Sequence, residues 1–253
     1  MKLLFLDIET SPAVVYTWDL FKPHISVDQI ITPTSLLCFS ARWHDEEEVQ
    51  FFSSKKRSGP EFDKMIRAAH RLLSAADAIC HYNGISFDIP RLNQEFLRLG
   101  LAPPPPTAQI DLKKVVMTKF GMISSKLAFV GPYLEIGEKI RHEGWPLWID
   151  CLANEKDAWR KMEAYNRQDV VLLAKLYEKL LPWIDGHPNM NLFVDDGQEI
   201  VLPRCKNCGS EKIRKQGFKR TSTNVYQQVQ CCVCGTWARF RTVDKNFPKV
   251  QVR

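Results

Sequence analysis

The sequence predicts an α/β protein with a small cysteine-rich module near its C-terminal end. The apolar run Leu3-Leu4-Phe5-Leu6 is typical of a strand that is covered on both faces of a sheet. Further strand-like segments come first and then alternate with helical patterns, which favours a sheet with helices on its faces. Five of the eight cysteines fall between residues 205 and 234, so they form a separate module. A chain of 253 residues has room for one large domain and such a module.

The predicted elements follow one another along the first 181 residues. Strands are expected at 3–6, 35–43, 48–53 and 77–83, and helices over Pro60–Ala75, from the turn after 83 to about Leu99, from about Ser125 to Ile136, and from Asn154 to Leu181. The four prolines 103–106 predict a stiff connector. We therefore expect a domain over residues 1–185, a linker over 186–204 and the cysteine module over 205–253.

Charge is distributed unevenly between these parts. Residues 204–253 carry 12 Lys/Arg and 2 Asp/Glu, whereas the residues before them are slightly acidic. A basic module of this kind predicts a nucleic-acid partner. No apolar run reaches the ~18 residues of a membrane span, and the N-terminus runs directly into a strand. The sequence thus predicts a cytoplasmic protein without a membrane partner.

The stretch LDIET places Asp7 and Glu9 directly after the buried apolar run. Side chains alternate along a strand, so these two carboxylates leave the same face. Two adjacent acids that lose hydration repel each other, unless a divalent cation lies between them. For an isolated pair, a solvated loop would be the simpler interpretation.

Two later stretches add further candidates. In HYNGISFDIPRL, Asp88 lies between a predicted strand and a helix, where helix capping is the alternative role. In YNRQD, Tyr165 and Asp169 stand four residues apart and share one helix face. Taken singly, they would be interpreted as a core aromatic residue and a surface charge.

Taken together, DIET, YNGISFD and YNRQD resemble, in order and spacing, the three motifs of the DEDDy exonuclease family. The resemblance covers about residues 1–185 and is greatest to the 3′–5′ proofreading domain of family B DNA polymerases and its stand-alone relatives. It implies an RNase H-like mixed sheet flanked by helices. The activity implied is removal of nucleotides from the 3′ end, preferably of single-stranded DNA, by a two-metal-ion mechanism.

The resemblance also implies a role for each acid with two Mg²⁺ or Mn²⁺ ions. Asp7 would bridge both ions, Glu9 and Asp169 would complete the site on the nucleophile side, and Asp88 would act on the other ion. Tyr165 would orient the attacking water, since a hydroxyl with a pKa near 10 is a poor base at neutral pH. Mg²⁺ prefers oxygen ligands, which these side chains supply.

Substrate contacts are expected from Thr10, Asn83 and Phe87, again by resemblance. His81 and His142 are weaker candidates for a general base, because neither lies at the family's base position. Two alternative functions stay open: an exoribonuclease, since the same acids serve both sugars, and a catalytically silent adaptor that binds nucleic acid. Replication or repair proteins are further candidate partners.

The cysteine module contains CKNCG and CCVCG, and 22 residues lie between the two C-x2-C pairs. Zinc prefers four tetrahedral thiolates, and each C-x2-C turn presents two of them. We therefore assign one Zn²⁺ to Cys205, Cys208, Cys231 and Cys234, with Cys232 left over. The segments KIRKQGFKR, VYQQVQC and WARFRTV resemble strands, so the module is similar to the zinc ribbons of transposases and transcription factors.

Basic and aromatic residues are interleaved in this ribbon. The predicted nucleic-acid contacts are Arg214, Lys215, Lys219, Arg220, Arg239 and Arg241. Cations of this kind neutralise phosphates, and exposed aromatic rings can stack on bases. The alternatives are a folding device without a ligand of its own and a docking module for another protein.

Overall fold

The computed structural model describes residues 1–18, 21, 24–193 and 204–239. These residues divide into two compact units, one formed by Lys2–Tyr177 and one by the described residues from Glu178 onward together with Met1. Residues 194–203 of the predicted linker, and Arg241 of the predicted basic set, lie outside the described residues. Within the described part of the chain, no helix combines the length and apolar character needed to cross a membrane.

A five-stranded mixed sheet forms the centre of the first unit. The strands of the first unit are β1 (Leu3–Thr10), β2 (Val14–Val15), β3 (Ile30–Thr32), β4 (Leu36–Trp43), β5 (Gln50–Ser53), β6 (Ala78–His81) and β7 (Ala108–Asp111). β2 and β3 form a separate two-stranded sheet, and the other five form the central sheet. The sheet order is β5-β4-β1-β6-β7, so β1 lies in the middle. β4 and β6 flank β1, antiparallel and parallel respectively.

Helices cover both faces of this sheet. They are α1 (Pro60–Ala75), α2 (Asp88–Arg98), α3 (Leu112–Lys119), α4 (Leu127–Tyr133), α5 (Trp145–Leu152) and α6 (Lys156–Leu180). On one face, Leu4 and Leu6 of β1 belong to a buried cluster with Phe62 and Ile66 of α1. A second cluster joins β4 to α5 and α6. This arrangement confirms the predicted α/β fold with a mixed sheet flanked by helices.

The predicted elements agree with the structure where apolar residues recur regularly along the segment. The α1 helix begins and ends at the predicted residues, Pro60 and Ala75, because its buried residues recur at helical spacing. The elements β7, α3 and α5 are not predicted from the sequence. β7 has four residues, of which only the last two are buried, so it shows no recognisable period. The predicted helix 125–136 is shorter, Leu127–Tyr133, with Pro132 in its last turn.

The second unit contains a three-stranded antiparallel sheet. Its strands are β8 (Ile213–Arg220), β9 (Val225–Cys231) and β10 (Trp237–Arg239), in the order β10-β9-β8. The three strands lie within the predicted strand segments KIRKQGFKR, VYQQVQC and WARFRTV, and the last four residues of WARFRTV lie outside the described residues. The two cysteine-bearing turns precede β8 and β10, which is the arrangement expected of a zinc ribbon.

Candidate active site

The strand β1 directs its two acids towards α6. Leu4, Leu6 and Ile8 point to α1, so the alternate residues Phe5, Asp7 and Glu9 point to the other face. The Phe5 ring centroid lies 5.5 Å from that of Tyr177 on α6, which places this face of β1 against that helix. Alternation along one strand thus separates the apolar core from the acids.

The helix α6 supplies the third acid. One oxygen each from Asp7, Glu9 and Asp169 can be chosen so that all lie within 4.8 Å of one another. The amide of Asn166, on the same helix, donates a hydrogen bond of 2.7 Å to Asp7 Oδ2. Asn166 was missed by the sequence analysis, although it stands inside the quoted motif. We call Asp7, Glu9 and Asp169 the acid cluster.

Asp88 binds β1 between the two acids of that strand. It is the first residue of α2, and its Oδ1 accepts a 3.1 Å hydrogen bond from the backbone N–H of Ile8. The N-cap position of α2 is occupied by Phe87. The charge of Asp88 contributes to the raised pKa values of both Asp7 and Glu9, so all four acids interact electrostatically.

Lys139 contacts both site residues of α6. Its ammonium lies 2.7 Å from Asp169 Oδ2 and donates a 2.8 Å hydrogen bond to the hydroxyl of Tyr165. Burial alone would lower the pKa of Lys139, but the charge of Asp169 and the contact with Tyr165 outweigh it and raise the pKa. Lys139 lies between α4 and α5 in a segment without a periodic pattern, so nothing in the sequence marked it.

The electrostatics of the acid cluster favour a bound cation. Burial, with the neighbouring charge of Asp169, raises the pKa of Glu9 to about 8, and burial with the other acids raises the pKa of Asp7 well above its usual range. Burial likewise raises the pKa of Asp88 to about 7. Among the described residues, the buried Oδ1 of Asp169 has no hydrogen-bond partner. A hard divalent ion would satisfy this oxygen and offset the repulsion, so the residues fit Mg²⁺ or Mn²⁺.

An open cavity of about 580 Å³ lies at the end of β1. Thr10 and Phe87, two of the predicted substrate contacts, line it together with Arg91, Trp145 and Trp148. The last three were missed, because Arg91 stands in the helical part of α2 and the tryptophans belong to the missed helix α5. Trp148 also donates a hydrogen bond to Glu9, which connects this wall of the cavity to the acid cluster.

Asn83, the third predicted substrate contact, is held by β7 and α3. Its backbone has φ of +74°, and its N–H donates to Asp111 Oδ1 at 2.9 Å. Its side-chain oxygen accepts a 3.3 Å hydrogen bond from Lys113. The missed strand β7 therefore fixes the turn that carries the second motif.

The two histidines proposed as weaker candidates differ in position. His81 is fully buried, with Nδ1 accepting from Gly84 N–H and Nε2 hydrogen-bonded to Gln109. Burial lowers its pKa. His142 packs with its ring centroid 4.8 Å from that of Tyr165. His81 therefore uses both ring nitrogens to hold the structure around it. His142 borders the site through its ring contact with Tyr165.

In the second unit, the four predicted cysteines converge. The sulfur atoms of Cys205, Cys208, Cys231 and Cys234 lie within 4.8 Å of one another, and Cys232 is exposed outside the group. Each turn is closed by a backbone hydrogen bond, from Gly209 N–H to Cys205 O and from Gly235 N–H to Cys231 O. Both glycines have positive φ, as the tight turns require. Four thiols so arranged fit a tetrahedral zinc site.

Comparisons with known proteins agree with this fold. The structure of the family B DNA polymerase from the hyperthermophilic archaeon Pyrobaculum calidifontis matches with a TM-score of 0.53 and 19% identity, over 72% of this chain and 24% of that chain. Protein NEN3 of Arabidopsis thaliana is 31% identical over 97 residues, covering 34% of this chain and 19% of that relative. The chain thus matches about a fifth of the length of NEN3.

A family model described as the RNase_H superfamily matches residues 32–181. The match includes the candidate residues Asp88, Tyr165 and Asp169, and begins after the strand that carries Asp7 and Glu9. It spans more than half of the 253 residues. The chain therefore belongs to the RNase H superfamily.

Proposed function

We propose that the protein is a metal-dependent 3′–5′ exonuclease that acts on single-stranded nucleic acid, with DNA as the preferred substrate. The observation that carries this proposal is the convergence of Asp7, Glu9 and Asp169, with an unpartnered buried oxygen on Asp169. Membership of a nuclease superfamily and the order of the three motifs support it. The cost of gathering three partly or fully buried acids around the single ammonium of Lys139 argues against a silent adaptor, which would have no use for them.

The acids would hold two divalent ions, which supply an activated water and stabilise the leaving oxygen when bound. Asp7, Glu9 and Asp169 offer their oxygens from the acid cluster, and Asp88 lies at its edge. The residues of the chain also keep Tyr165 in place. Its hydroxyl accepts a hydrogen bond from Lys139 and interacts with Asp169, so its orientation is determined from two sides.

Tyr165 is suited to orienting a water rather than deprotonating it. Burial, followed by the charge of Asp169, raises the pKa of its hydroxyl above the usual value of 10. The hydroxyl therefore keeps its proton at neutral pH. A protonated hydroxyl held by two neighbours can direct a water molecule towards a phosphorus atom, but it cannot accept that water's proton.

The cavity beside Thr10 supports a single-stranded substrate. Its walls include Phe87, Trp145 and Trp148, whose rings offer stacking surfaces to any unpaired base. Arg91 adds a cation that also lies over the Phe87 ring, 5.9 Å from its centroid. An unpaired terminal nucleotide can enter such a space, whereas a base-paired one must first be separated from its partner strand.

The test is digestion of 5′-labelled DNA and RNA strands of equal sequence by the full chain with Mg²⁺. We expect a ladder of products shortened from the 3′ end, faster on DNA, and a block by a 3′-phosphate. The Asp7→Asn variant should be inactive, while the exposed Asp45→Asn variant serves as the matched control. Release from the 5′ end, or internal cuts, would contradict the proposal. Faster digestion of RNA would establish the exoribonuclease alternative.

A further inference from the structure

The sheet of the second unit has two chemically different faces. Along β9, Gln227, Val229 and Cys231 are buried, whereas Tyr226 and Gln228 are half-exposed. Directly paired residues of antiparallel strands lie on the same face. Trp237 of β10 pairs with Gln230, and Arg239 pairs with Gln228. Both side chains therefore lie on the half-exposed face, the same face as Tyr226.

A β-bulge decides which cations of β8 join that face. Gln216 and Gly217 together stand opposite Gln228, because the register shifts between Lys215 and Phe218. Gly217 has φ of +68°, which favours glycine at this position, and its carbonyl accepts a 2.8 Å hydrogen bond from the Gln227 side chain. The extra residue reverses the alternation of side chains along the rest of the strand.

The bulge therefore separates the predicted basic residues into two groups. Arg214 pairs with Gln230 and Lys219 pairs with Tyr226, so both lie on the half-exposed face although they stand an odd number of positions, five, apart. Lys215 and Arg220 pair with Val229 and Val225 and lie on the opposite face. Simple alternation along β8 would have put Arg214 and Arg220 together. From the sequence alone, these cations are predicted as one set of nucleic-acid contacts.

We call Arg214, Lys219, Tyr226, Trp237 and Arg239 the basic aromatic face. The Arg239 guanidinium lies 4.2 Å from the centroid of the Tyr226 ring, and Arg214 donates a 2.7 Å hydrogen bond to Gln230. Trp237 is 45% exposed. Lys219, Trp237 and Arg239 also line an open cavity of about 400 Å³, which Lys206 borders. Flat groups and cations thus alternate over one surface.

We propose that the basic aromatic face is a binding site for single-stranded nucleic acid. Bases would stack on Trp237 and on the Arg239–Tyr226 pair, while Lys206, Arg214 and Lys219 bind phosphates. Stacking on a protein ring requires a base that is not already enclosed in a duplex. The strands β8, β9 and β10 contain no Asp or Glu, so the face matches a polyanion. The proposal rests on the proposed function only in that the bound strand would be the substrate.

The experiment compares two pairs of substitutions that remove the same charge from the same small sheet. The full chain carries Asp7→Asn to prevent digestion, and binding of a labelled oligothymidylate is measured by anisotropy at several NaCl concentrations. One variant has Lys219→Gln and Arg239→Gln on the basic aromatic face. The other has Lys215→Gln and Arg220→Gln on the opposite face. Trp237→Ala is compared with Val233→Ala, an exposed residue outside the face. Circular dichroism and zinc content check folding.

We expect the first pair to weaken binding about tenfold, because it removes one phosphate contact and the Arg239–Tyr226 stacking pair. The salt slope should flatten by about 0.7, the contribution of the single-strand phosphate contact that Lys219 makes. The opposite pair should change affinity by less than about twofold. Trp237→Ala should weaken binding by about tenfold, within the range for one stacked base, and Val233→Ala should not. Equal losses for both pairs, or equal affinity for a duplex of the same length, would overturn the proposal.

Unchanged affinity in both pairs would also overturn it and would favour a protein partner for this face. Digestion of the same oligothymidylate by the chain with Asp7 intact is measured in parallel. Digestion together with equal losses would disprove the basic aromatic face and leave the nuclease. Normal binding without digestion would disprove the nuclease and leave the basic aromatic face. The two proposals can therefore fail separately.

Discussion

The acid cluster and the cysteine cluster are assembled in opposite ways. The acid cluster takes its carboxylates from β1 and α6, near the two ends of the first unit, and brings them together through a complete sheet-and-helix core. The cysteine cluster takes its thiols from two short turns that are each closed by their own backbone hydrogen bond. The acid cluster therefore forms only when the first unit is folded. The cysteine cluster, with its metal bound, would instead be the main stabilising feature of a small fold.

This difference predicts different roles for a metal ion bound at each site. The first unit has an apolar core on both faces of its sheet, so its acids reduce its stability and a cation would serve chemistry. The ribbon consists of three short strands, and structural zinc supplies the folding free energy of such modules. Replacing a metal-binding side chain should therefore abolish activity in the first unit, whereas the same kind of change should abolish folding of the ribbon.

The largest expected effect is loss of activity in Asp7→Asn. The change keeps the shape of the side chain and one acceptor for Asn166, but removes a charge from the acid cluster. Turnover should fall by more than about 10³-fold, beyond the loss of a single oriented donor. The thermal midpoint without Mg²⁺ should stay the same or rise, because repulsion is relieved. A variant that keeps most of its Mg²⁺-dependent activity would rule out the acid cluster as the metal site.

The second prediction concerns folding of the ribbon in Cys208→Ser. Loss of one thiolate should release zinc, and the amides of β8 and β9 should lose their protection from hydrogen exchange. The amides of β1 and β4 should keep theirs. Cys232→Ser is the matched control, since this cysteine is exposed and lies outside the cluster. Protected ribbon amides in zinc-free Cys208→Ser would show that the module folds without its metal.

The comparison also explains what the sequence could predict. Asp7 and Glu9 were recognisable because strand alternation is a local rule, and the cysteine turns because their spacing is local too. Lys139 and Arg91 reach the site only through the tertiary fold, and neither belongs to a local pattern. The faces of the ribbon could not be assigned from β8 alone, because the bulge at Gly217 depends on its pairing with β9.

The third prediction tests Lys139 as a residue that positions Tyr165 and Asp169. Lys139→Gln should lower turnover by about tenfold, within the range for residues that orient metal ligands from behind. The KM for the oligonucleotide should change little, since Lys139 contacts site residues rather than the cavity walls. Lys175→Gln, an exposed change on α6, is the control and should have no effect.

A double-mutant cycle shows whether Lys139 acts through the Tyr165 hydroxyl. Tyr165→Phe alone should lower turnover by about 10²-fold, as for loss of one oriented donor. If Lys139 works by holding that hydroxyl, Lys139→Gln should add little in the Tyr165→Phe background. Fully additive losses would mean that Lys139 acts on Asp169 or on the substrate instead.

The smallest expected effect is a pH dependence of stability in the first unit. The pKa of Glu9 rises from its ordinary 4.5 to about 8 on folding, because the side chain is buried beside Asp169. Between these pH values the folded protein holds a proton that the unfolded chain has released, so stability is greatest below about 4.5 and is lost as the pH rises to about 8. Without Mg²⁺, the thermal midpoint should therefore fall by a few degrees between pH 5 and pH 8.

Glu9→Gln should flatten this slope, while the exposed Glu155→Gln serves as the control. Zinc is supplied at every pH to keep the cysteine cluster metal-bound, so that the shift of the thermal midpoint reports on the acids alone. Mg²⁺ should raise the midpoint more at pH 8 than at pH 5, because protons and the cation compete for the same oxygens. A slope that persists in Glu9→Gln would assign the titration to other groups. If the slope is lost in Glu9→Gln instead, the two clusters differ in their response to pH as well. The acid cluster would accept either protons or a cation, whereas the cysteine cluster would need its metal to fold.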